Sequence, residues 1–149
     1  FDLAAAMVEG QPKVEAAFHT GHGVAWGDSA GCLFCAVGAF FRPGYVNAIV
    51  QAWLPALDGM VPALERGVRV ADIGCGVGFS TLLMAQAFPN SQFIGYDFHG
   101  PSIEQANAHA AAHGVADRVR FETMAAKDIG ERDFDLVTMF DCLHDMGDP

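Results

Sequence analysis

Short apolar segments alternate with amphipathic ones over the second half of the chain. The short segments are rich in β-branched and aromatic residues, which is the pattern of strands buried in a sheet. Two longer segments between them, Phe79–Phe88 and Pro101–His113, carry apolar residues at helical spacing. Strands that alternate with helices at these lengths predict an α/β fold built on a doubly wound parallel sheet. The four predicted strands are Val68–Ile73, Gln92–Asp97, Arg118–Glu122 and Asp133–Phe140.

The first 66 residues have helical patterns instead. A short helix broken at Gly10 and Pro12 is predicted over Phe1–Val14, because both residues disfavour a helix interior. Between the predicted helices, Phe18–Asp28 is rich in glycine, has no period and predicts a loop. We therefore expect two parts, a helical N-terminal segment at 1–66 and an α/β core at 67–149. The other predicted helices are Ser29–Phe41, which Arg42-Pro43-Gly44 should end, Val46–Leu57, and Met60–Arg66.

A glycine-rich turn follows the first predicted strand. Gly74, Gly76 and Gly78 have no Cβ atoms, so this backbone can approach a ligand closely, and the next helix directs its free N–H groups to the same place. Asp72 lies at the carboxyl end of the strand, where ligands of open α/β sheets bind. The dinucleotide pattern G-x-G-x-x-G requires glycine where this chain has Phe79, which disfavours a nicotinamide-dependent oxidoreductase.

An acidic residue ends the second predicted strand at a spacing that suits a nucleoside. Asp97 follows Gly74 by 23 residues (97 − 74), close to the roughly 20 expected of a ribose-binding acid. Phe98 beside it could stack on a purine face. The alternative, an acid that only closes a turn, stays open at this stage.

Composition excludes some classes of partner. The net charge is −10, from 8 Lys+Arg and 18 Asp+Glu, which disfavours binding of nucleic acid through this domain. We find no apolar run long enough to span a membrane and no leader peptide, so we expect a cytoplasmic protein with no membrane partner. Cys32 and Cys35 are predicted to be buried thiols, and no metal site is expected. The chain begins at Phe1 and ends at Pro149 soon after a strand, so we expect a fragment of a longer protein.

The Asp72–Gly78 turn, Tyr96-Asp97 and Phe134–Asp141 resemble three successive motifs of class I S-adenosylmethionine-dependent methyltransferases. Two further strings, Phe40–Tyr45 and Phe140–Pro149, resemble a bacterial subgroup that joins a winged-helix domain to a small-molecule-type methyltransferase. The resemblance implies a Rossmann-like sheet, of which this chain holds the first four strands. It also implies S-adenosyl-L-methionine as the cofactor and a small-molecule methyl acceptor as the partner.

The resemblance assigns residues by position. Family members often have an acid after strand three that binds adenine, but Met124-Ala125-Ala126 stands there in this chain, so adenine recognition must differ. The residues implied to bind the cofactor are Asp72, Gly74, Cys75, Gly76, Gly78, Asp97, Phe98, Ala125, Ala126, Phe140 and Asp141.

Methyl transfer from a sulfonium needs alignment, exclusion of water and, for a hydroxyl or amine acceptor, a base. His144 is the candidate base, with Asp141 as a catalytic residue that orients cofactor or substrate and Asp145 as a partner for His144. The loop that carries Trp26 is either a lid over the site or a surface loop packed on the core. The candidate substrate-side residues are His22, Trp26, Arg42 and Tyr45.

A second function remains open. The domain could bind S-adenosylmethionine without catalysis, as the regulatory part of a winged-helix protein, and it would then need neither a lid nor His144. A homodimer is left open as well, and the fragment by itself is expected to be inactive.

Overall fold

The computed structural model describes residues 1–29 and 33–146. Contacts divide the chain into two compact units, Phe1–Phe41 and Arg42–Pro149, each of which is described by itself below. Cys32 and the Gly147–Pro149 end of the second string lie outside the described residues.

The first unit consists of helix α1 (Asp2–Thr20), a 3-10 turn (Trp26–Asp28) and the beginning of helix α2 (Leu33–Ala48). The predicted break at Gly10 and Pro12 is wrong, because α1 runs through both residues. Alanine, the strongest helix former, occupies Ala4–Ala6 before Pro12 and Ala16-Ala17 after it, and a single proline removes only one backbone hydrogen bond. The helix ends at Gly21, whose φ of 74° reverses the chain.

Helix α2 also continues where a break was predicted, through Arg42-Pro43-Gly44, and leads into a π-helical turn, Ile49–Trp53. The resulting 21-residue helix, Leu33–Trp53, is long and apolar enough to cross a membrane by length and composition alone. Core helices of water-soluble proteins pass the same test, so the expected absence of a membrane partner stays a prediction. Cys35 in this helix is half-buried and disulfide-bonded, which corrects the prediction of a buried thiol.

The second unit contains the predicted α/β core. Its four strands form one sheet in the order β3-β2-β1-β4, and all neighbouring strands are parallel. Helices α4 and α5 connect β1 to β2 and β2 to β3, which confirms the doubly wound fold. The elements are α3 (Met60–Arg66), β1 (Arg69–Ile73), α4 (Phe79–Ala87), β2 (Gln92–Asp97), α5 (Gly100–Ala112), β3 (Val119–Thr123) and β4 (Leu136–Thr138).

The main core lies between the sheet and helices α4 and α5. Val70, Phe93 and Phe121 point from three strands into this core, together with Leu82 of α4 and Ile103 of α5. The other sheet face buries a smaller cluster around Ile73 and Tyr96, against loop residues such as Met124 and Phe134. Successive apolar side chains along each strand therefore point to opposite faces of the sheet and pack into the two clusters.

Strand β4 is shorter than predicted, Leu136–Thr138 instead of Asp133–Phe140. Asp133 and Asp141 have φ values of 63° and 56°, which extended strands do not adopt, and these two residues bracket the strand. Residues 42–66 pack in the same unit as the sheet, and Tyr45 and Met60 contact its core. The division of the chain into a helical segment at 1–66 and an α/β core at 67–149 stays a prediction.

Candidate active site

The strand order places a crevice at one end of the sheet. From β1 the chain proceeds outward to β2 and β3, and then returns to place β4 on the other side of β1. The loops that leave β1 and β4 therefore diverge at their carboxyl ends, which is the position where open α/β sheets bind ligands. Gly74 follows β1 at this point, and Phe140 and Asp141 follow β4.

The glycine turn is fixed to the neighbouring strand by its own backbone. The N–H groups of Gly74 and Cys75 both donate to the carbonyl oxygen of Tyr96, at 2.8 and 3.1 Å. The N–H of Gly76 donates to Oδ2 of Asp97 at 2.9 Å. Gly74, Gly76 and Gly78 all have positive φ, which explains why glycine occupies these positions. The turn is therefore preorganised.

Asp72 lies below this turn and not on its surface. Its side chain is 1% exposed, and its carboxylate accepts hydrogen bonds from three hydroxyl groups. Ser80 and Thr81 of α4 donate to Oδ2 at 2.7 and 2.6 Å, and Thr138 of β4 donates to Oδ1 at 2.8 Å. Burial raises the pKa of Asp72, and the three hydroxyl groups partly oppose this shift. The carboxylate thus joins β1, α4 and β4 beneath the crevice.

The three glycines of the turn differ in which atoms a Cβ atom at their position would contact. A Cβ atom on Gly74 would be 2.6 Å from the side chain of Cys142, and one on Gly78 would be 2.6 Å from the ring of Phe121. A Cβ atom on Gly76 would meet nothing within 4 Å. Gly74 and Gly78 are therefore required by packing inside the protein. Gly76 faces open space at the crevice, where a ligand can approach its backbone.

The predicted ribose acid lies beside this open space. Asp97 is half-buried and accepts the N–H groups of Gly76 and His99, at 2.9 and 2.8 Å. A carboxylate has about four acceptor positions, so it retains the capacity to accept ribose hydroxyls as well. Phe98 next to it is 65% exposed, so its ring is accessible for stacking. Asp97 thus connects the turn with the predicted nucleoside site.

The segment after β3 lies along the same edge. The N–H of Met124 donates to the carbonyl oxygen of Asp97 at 2.9 Å, which holds Ala125 next to the end of β2. Ala125 is half-buried and Ala126, which opens a 3-10 turn, is exposed. This placement is compatible with the adenine-side role that the resemblance implies.

The loop after β4 closes over the first strand. The thiol of Cys142 donates to the carbonyl oxygen of Ile73 at 3.1 Å, and its side chain packs on Gly74. Asp141 is held in the left-handed region with φ 56°, which is uncommon for a residue other than glycine. This backbone geometry directs Cys142 inward, while the Asp141 side chain stays 49% exposed.

The candidate base is exposed between two carboxylates. Nδ1 of His144 lies 3.7 Å from Oδ1 of Asp141, and Nε2 lies 3.4 Å from Oδ1 of Asp145. Both distances allow ion pairing with a protonated imidazole, and the side chain is 64% exposed. The structure therefore brings the three predicted residues together, in an arrangement that can stabilise an imidazolium formed by proton uptake.

Two predicted substrate-side residues belong to this unit. The ring of Tyr45 lies 5.6 Å from that of Phe140, centroid to centroid. The guanidinium of Arg42 lies 5.6 Å from the centroid of Phe79, at the start of α4. Both residues are thus close in space to elements that form the crevice.

Burial and nearby negative charge raise the pKa values of the phenol and thiol groups near the crevice. Partial burial, with the carboxylates of Asp72 and Asp141 nearby, raises the pKa of Tyr45 to about 12. Burial likewise raises the pKa of the Cys142 thiol and, more strongly, that of Cys75. Neutral phenol and thiol groups are therefore present at physiological pH, so neither cysteine is a thiolate nucleophile.

His22 and Trp26 lie in the first unit. His22 is exposed beyond the end of α1, and its N–H donates to the hydroxyl of Thr20 at 3.3 Å. Trp26 is 37% exposed and opens the 3-10 turn. Because the two units are described separately, the substrate-side role of these two residues stays a prediction.

Sequence reasoning missed the hydroxyl groups around Asp72. Ser80 and Thr81 directly follow the turn, and polar side chains in the first turn of an otherwise apolar helix were a usable signal. Thr138 had no such signal, since only the strand register places it opposite Asp72.

His109 lies in the last turn of α5, and His113 caps the carboxyl end of this helix. Among residues 1–29 and 33–146 no group of three potential metal ligands comes together. Nδ1 of His109 contacts the carbonyl oxygen of Val77 at 3.0 Å, and Nδ1 of His113 contacts that of His109 at 2.8 Å. His109 also stacks on Phe79, with 5.3 Å between ring centroids. His109 therefore supports the turn.

A family described as a methyltransferase domain matches residues 64–149. A ubiquinone biosynthesis O-methyltransferase of Neisseria meningitidis is 36% identical over 88 residues, which is 56% of this chain and 36% of that protein. The 27-O-demethylrifamycin SV methyltransferase of Amycolatopsis mediterranei is 38% identical over 94 residues, 62% of this chain and 34% of that protein. This chain thus spans about a third of the length of each relative.

One solved structure supports the fold. A putative sarcosine dimethylglycine methyltransferase from Galdieria sulphuraria superposes with a TM-score of 0.52 at 18% identity, over 58% of this chain and 32% of that one. At this identity the likeness concerns the fold alone, and it agrees with the parallel sheet described above.

Proposed function

The chain belongs to the methyltransferase-domain family, and on that premise we propose that it transfers a methyl group from S-adenosylmethionine to a small-molecule acceptor by in-line displacement. The family agrees with the class I resemblance and with the enzyme class and the cofactor that this resemblance implies. The narrower resemblance to a winged-helix subgroup stays a prediction.

The observation that carries the proposal is the open space above Gly76 beside the carboxylate of Asp97. A Cβ atom on Gly76 would meet nothing within 4 Å, and Asp97 is hydrogen-bonded to the same residue. A ligand in this space would contact bare backbone and a carboxylate with remaining acceptor capacity. These are the contacts that a nucleoside with two ribose hydroxyls needs.

When bound, the cofactor supplies an electrophilic methyl group on a sulfonium, so the protein needs only to align the acceptor and remove its proton. His144 takes that proton at one ring nitrogen, while Asp141 and Asp145 stabilise the resulting imidazolium. The tight contact of Cys142 with Gly74 holds this loop against the glycine turn. In this arrangement acceptor and cofactor meet between the β1 and β4 loops.

The acceptor class rests on the relatives and on charge. Two relatives are named for O-methyl transfer in ubiquinone biosynthesis and for methylation of a rifamycin, both small molecules. The net charge of −10 disfavours a nucleic acid acceptor. We therefore propose a small organic acceptor, a cytoplasmic location without a membrane partner, and a homodimer as an arrangement to be tested by sedimentation.

Calorimetric titration of the chain with S-adenosylhomocysteine, and with NAD as the control ligand, tests the proposal. We expect binding of S-adenosylhomocysteine in the micromolar range and none of NAD. Binding of NAD alone, or of neither ligand, would contradict the cofactor assignment for this chain.

The second candidate is a cofactor-binding regulatory domain without catalysis. The exposure of His144 favours this second candidate, because the side chain of the candidate base is not enclosed by a lid. A full-length protein that binds S-adenosylhomocysteine but transfers no labelled methyl group to a panel of small acceptors would support this alternative.

A further inference from the structure

Three aromatic side chains form a cluster next to the candidate active site. The rings of Trp53 and Phe140 stack with 5.7 Å between centroids and an angle of 26°. Tyr45 joins them at 6.3 Å from Trp53 and 5.6 Å from Phe140. We call these three residues the aromatic wall. Phe140 directly precedes Asp141, so the wall is continuous with the loop that carries the candidate base.

The wall is not fully covered by the protein. Trp53 keeps 45% of its surface exposed, although it is among the largest apolar side chains of the unit. A tryptophan of the π-helical turn would serve stability better if it were buried, because exposed aromatic surface costs free energy in water. Its exposed surface next to Phe140 is accessible to another molecule.

We propose that the aromatic wall is the acceptor subsite and that it binds a flat, neutral ring bearing a hydroxyl group. This inference rests on the proposed methyl transfer and adds the class of acceptor. The near-parallel rings of Trp53 and Phe140 present a flat face, which suits stacking of a planar ring. The ring of Tyr45 stands at 75° to that of Trp53 and at 49° to that of Phe140, so it borders this flat face at a steep angle.

Polar groups at the edge of the wall favour a hydroxyl on that ring. The Tyr45 hydroxyl remains protonated, since its pKa is raised to about 12, and it can hydrogen-bond to an oxygen acceptor. His144 follows Phe140 by four residues and can remove the proton of the acceptor hydroxyl. The acceptor oxygen then forms a bond to the methyl carbon as the methyl–sulfur bond breaks, and the thioether leaves with that electron pair.

The test compares 2-naphthol with its saturated analogue decahydro-2-naphthol by calorimetric titration of the whole chain. We expect 2-naphthol to bind at least about tenfold more tightly, near the upper contribution of one aromatic pair. Trp53→Leu keeps an apolar side chain but removes the ring, and it should abolish this preference. Trp53→Phe should retain most of the preference. Phe40→Leu, which removes an exposed ring of the other unit, is the matched control and should retain all of it.

Three results would overturn the subsite: equal binding of the two alcohols, an unchanged preference in Trp53→Leu, or tighter binding of tetramethylammonium that Trp53→Leu removes. Titration of the same variants with S-adenosylhomocysteine separates this inference from the proposed function. Loss of the naphthol preference with cofactor binding retained concerns only the acceptor, whereas loss of both would overturn the assignment of Trp53 to a separate acceptor subsite.

Discussion

Thr138 donates its hydroxyl to the carboxylate of Asp72 across 2.8 Å, inside the protein and between two adjacent parallel strands. The two residues are 66 positions apart in sequence and directly opposite in the strand register. This bond makes Asp72 a structural group beneath the glycine turn. Asp72 is 1% exposed, and the cofactor role that the resemblance implies for it stays a prediction.

Replacing Thr138 by valine should destabilise the protein by about 1–3 kcal/mol at pH 7, because a buried carboxylate loses one of its three donors. The hydroxyl groups lower the pKa of Asp72 against the raising effect of burial. Removing one donor therefore raises that pKa further, and the loss of stability should shrink as pH falls and Asp72 becomes protonated. Urea unfolding at pH 7 and at pH 4.5 measures both effects. Thr138→Ser, which keeps the hydroxyl, is the control; equal losses in Ser and Val variants would contradict the role of the bond.

Alanine substitutions at Gly74 and Gly76 should separate packing from ligand binding. Gly76→Ala costs only the left-handed backbone penalty of about 1–2 kcal/mol, since its Cβ meets nothing within 4 Å, but it should abolish S-adenosylhomocysteine binding. Gly74→Ala should destabilise the fold more, because its Cβ would be 2.6 Å from Cys142. Thermal unfolding and calorimetry on both variants provide the comparison. Cys142→Gly combined with Gly74→Ala should restore part of the stability, and no restoration would refute the contact.

Asp97→Asn should weaken S-adenosylhomocysteine binding at least about tenfold, which corresponds to one charge-assisted hydrogen bond. The carboxylate accepts two backbone N–H groups and would accept ribose hydroxyls, whereas an amide has one oxygen to offer. Glu104→Gln removes an exposed carboxylate of α5 and serves as the matched control. If both variants bind equally well, Asp97 has no ligand role.

The chain has two tyrosines, so their ionisation can be followed by the phenolate absorbance. Tyr45 should ionise near pH 12 because the folded protein raises its pKa from 10. The folded state then binds this proton more tightly than the unfolded state, and stability should fall as pH rises from 10 towards 12. Tyr45→Phe should remove this part of the loss. Ionisation of Tyr45 with a midpoint near 10 in the folded protein would contradict the burial argument.

In the full-length protein, His144→Ala should lower transfer of a labelled methyl group to 2-naphthol by roughly a hundredfold or more, the usual contribution of a general base, and leave S-adenosylhomocysteine binding unchanged. The control is His113→Ala, whose ring lies on the exposed end of α5. Unchanged transfer in His144→Ala would remove this residue from the mechanism.

Several elements could be predicted from local pattern. Strand β2 and helix α3 have the bounds that their sequence predicts, β1 and α4 differ by one residue at one end, and β3 and α5 differ by one residue at each end. The errors lie at prolines and at the edge of the sheet. Pro12 and Pro43 lie inside continuous helices, and β4, at the edge of the sheet, pairs with β1 over only three residues, Leu136–Thr138.

The sequence by itself determined the alternation of strands and helices, the glycine turn and the acid at the end of β2. These features depend on residues close in the chain, where side-chain period and glycine conformation act directly. Only the tertiary structure decided that Asp72 is buried under three hydroxyls, that Gly76 alone of the turn glycines faces open space, and that Trp53 stacks on Phe140. Such relations join residues up to 87 positions apart (140 − 53), and they depend on strand register and helix packing, which no local pattern records.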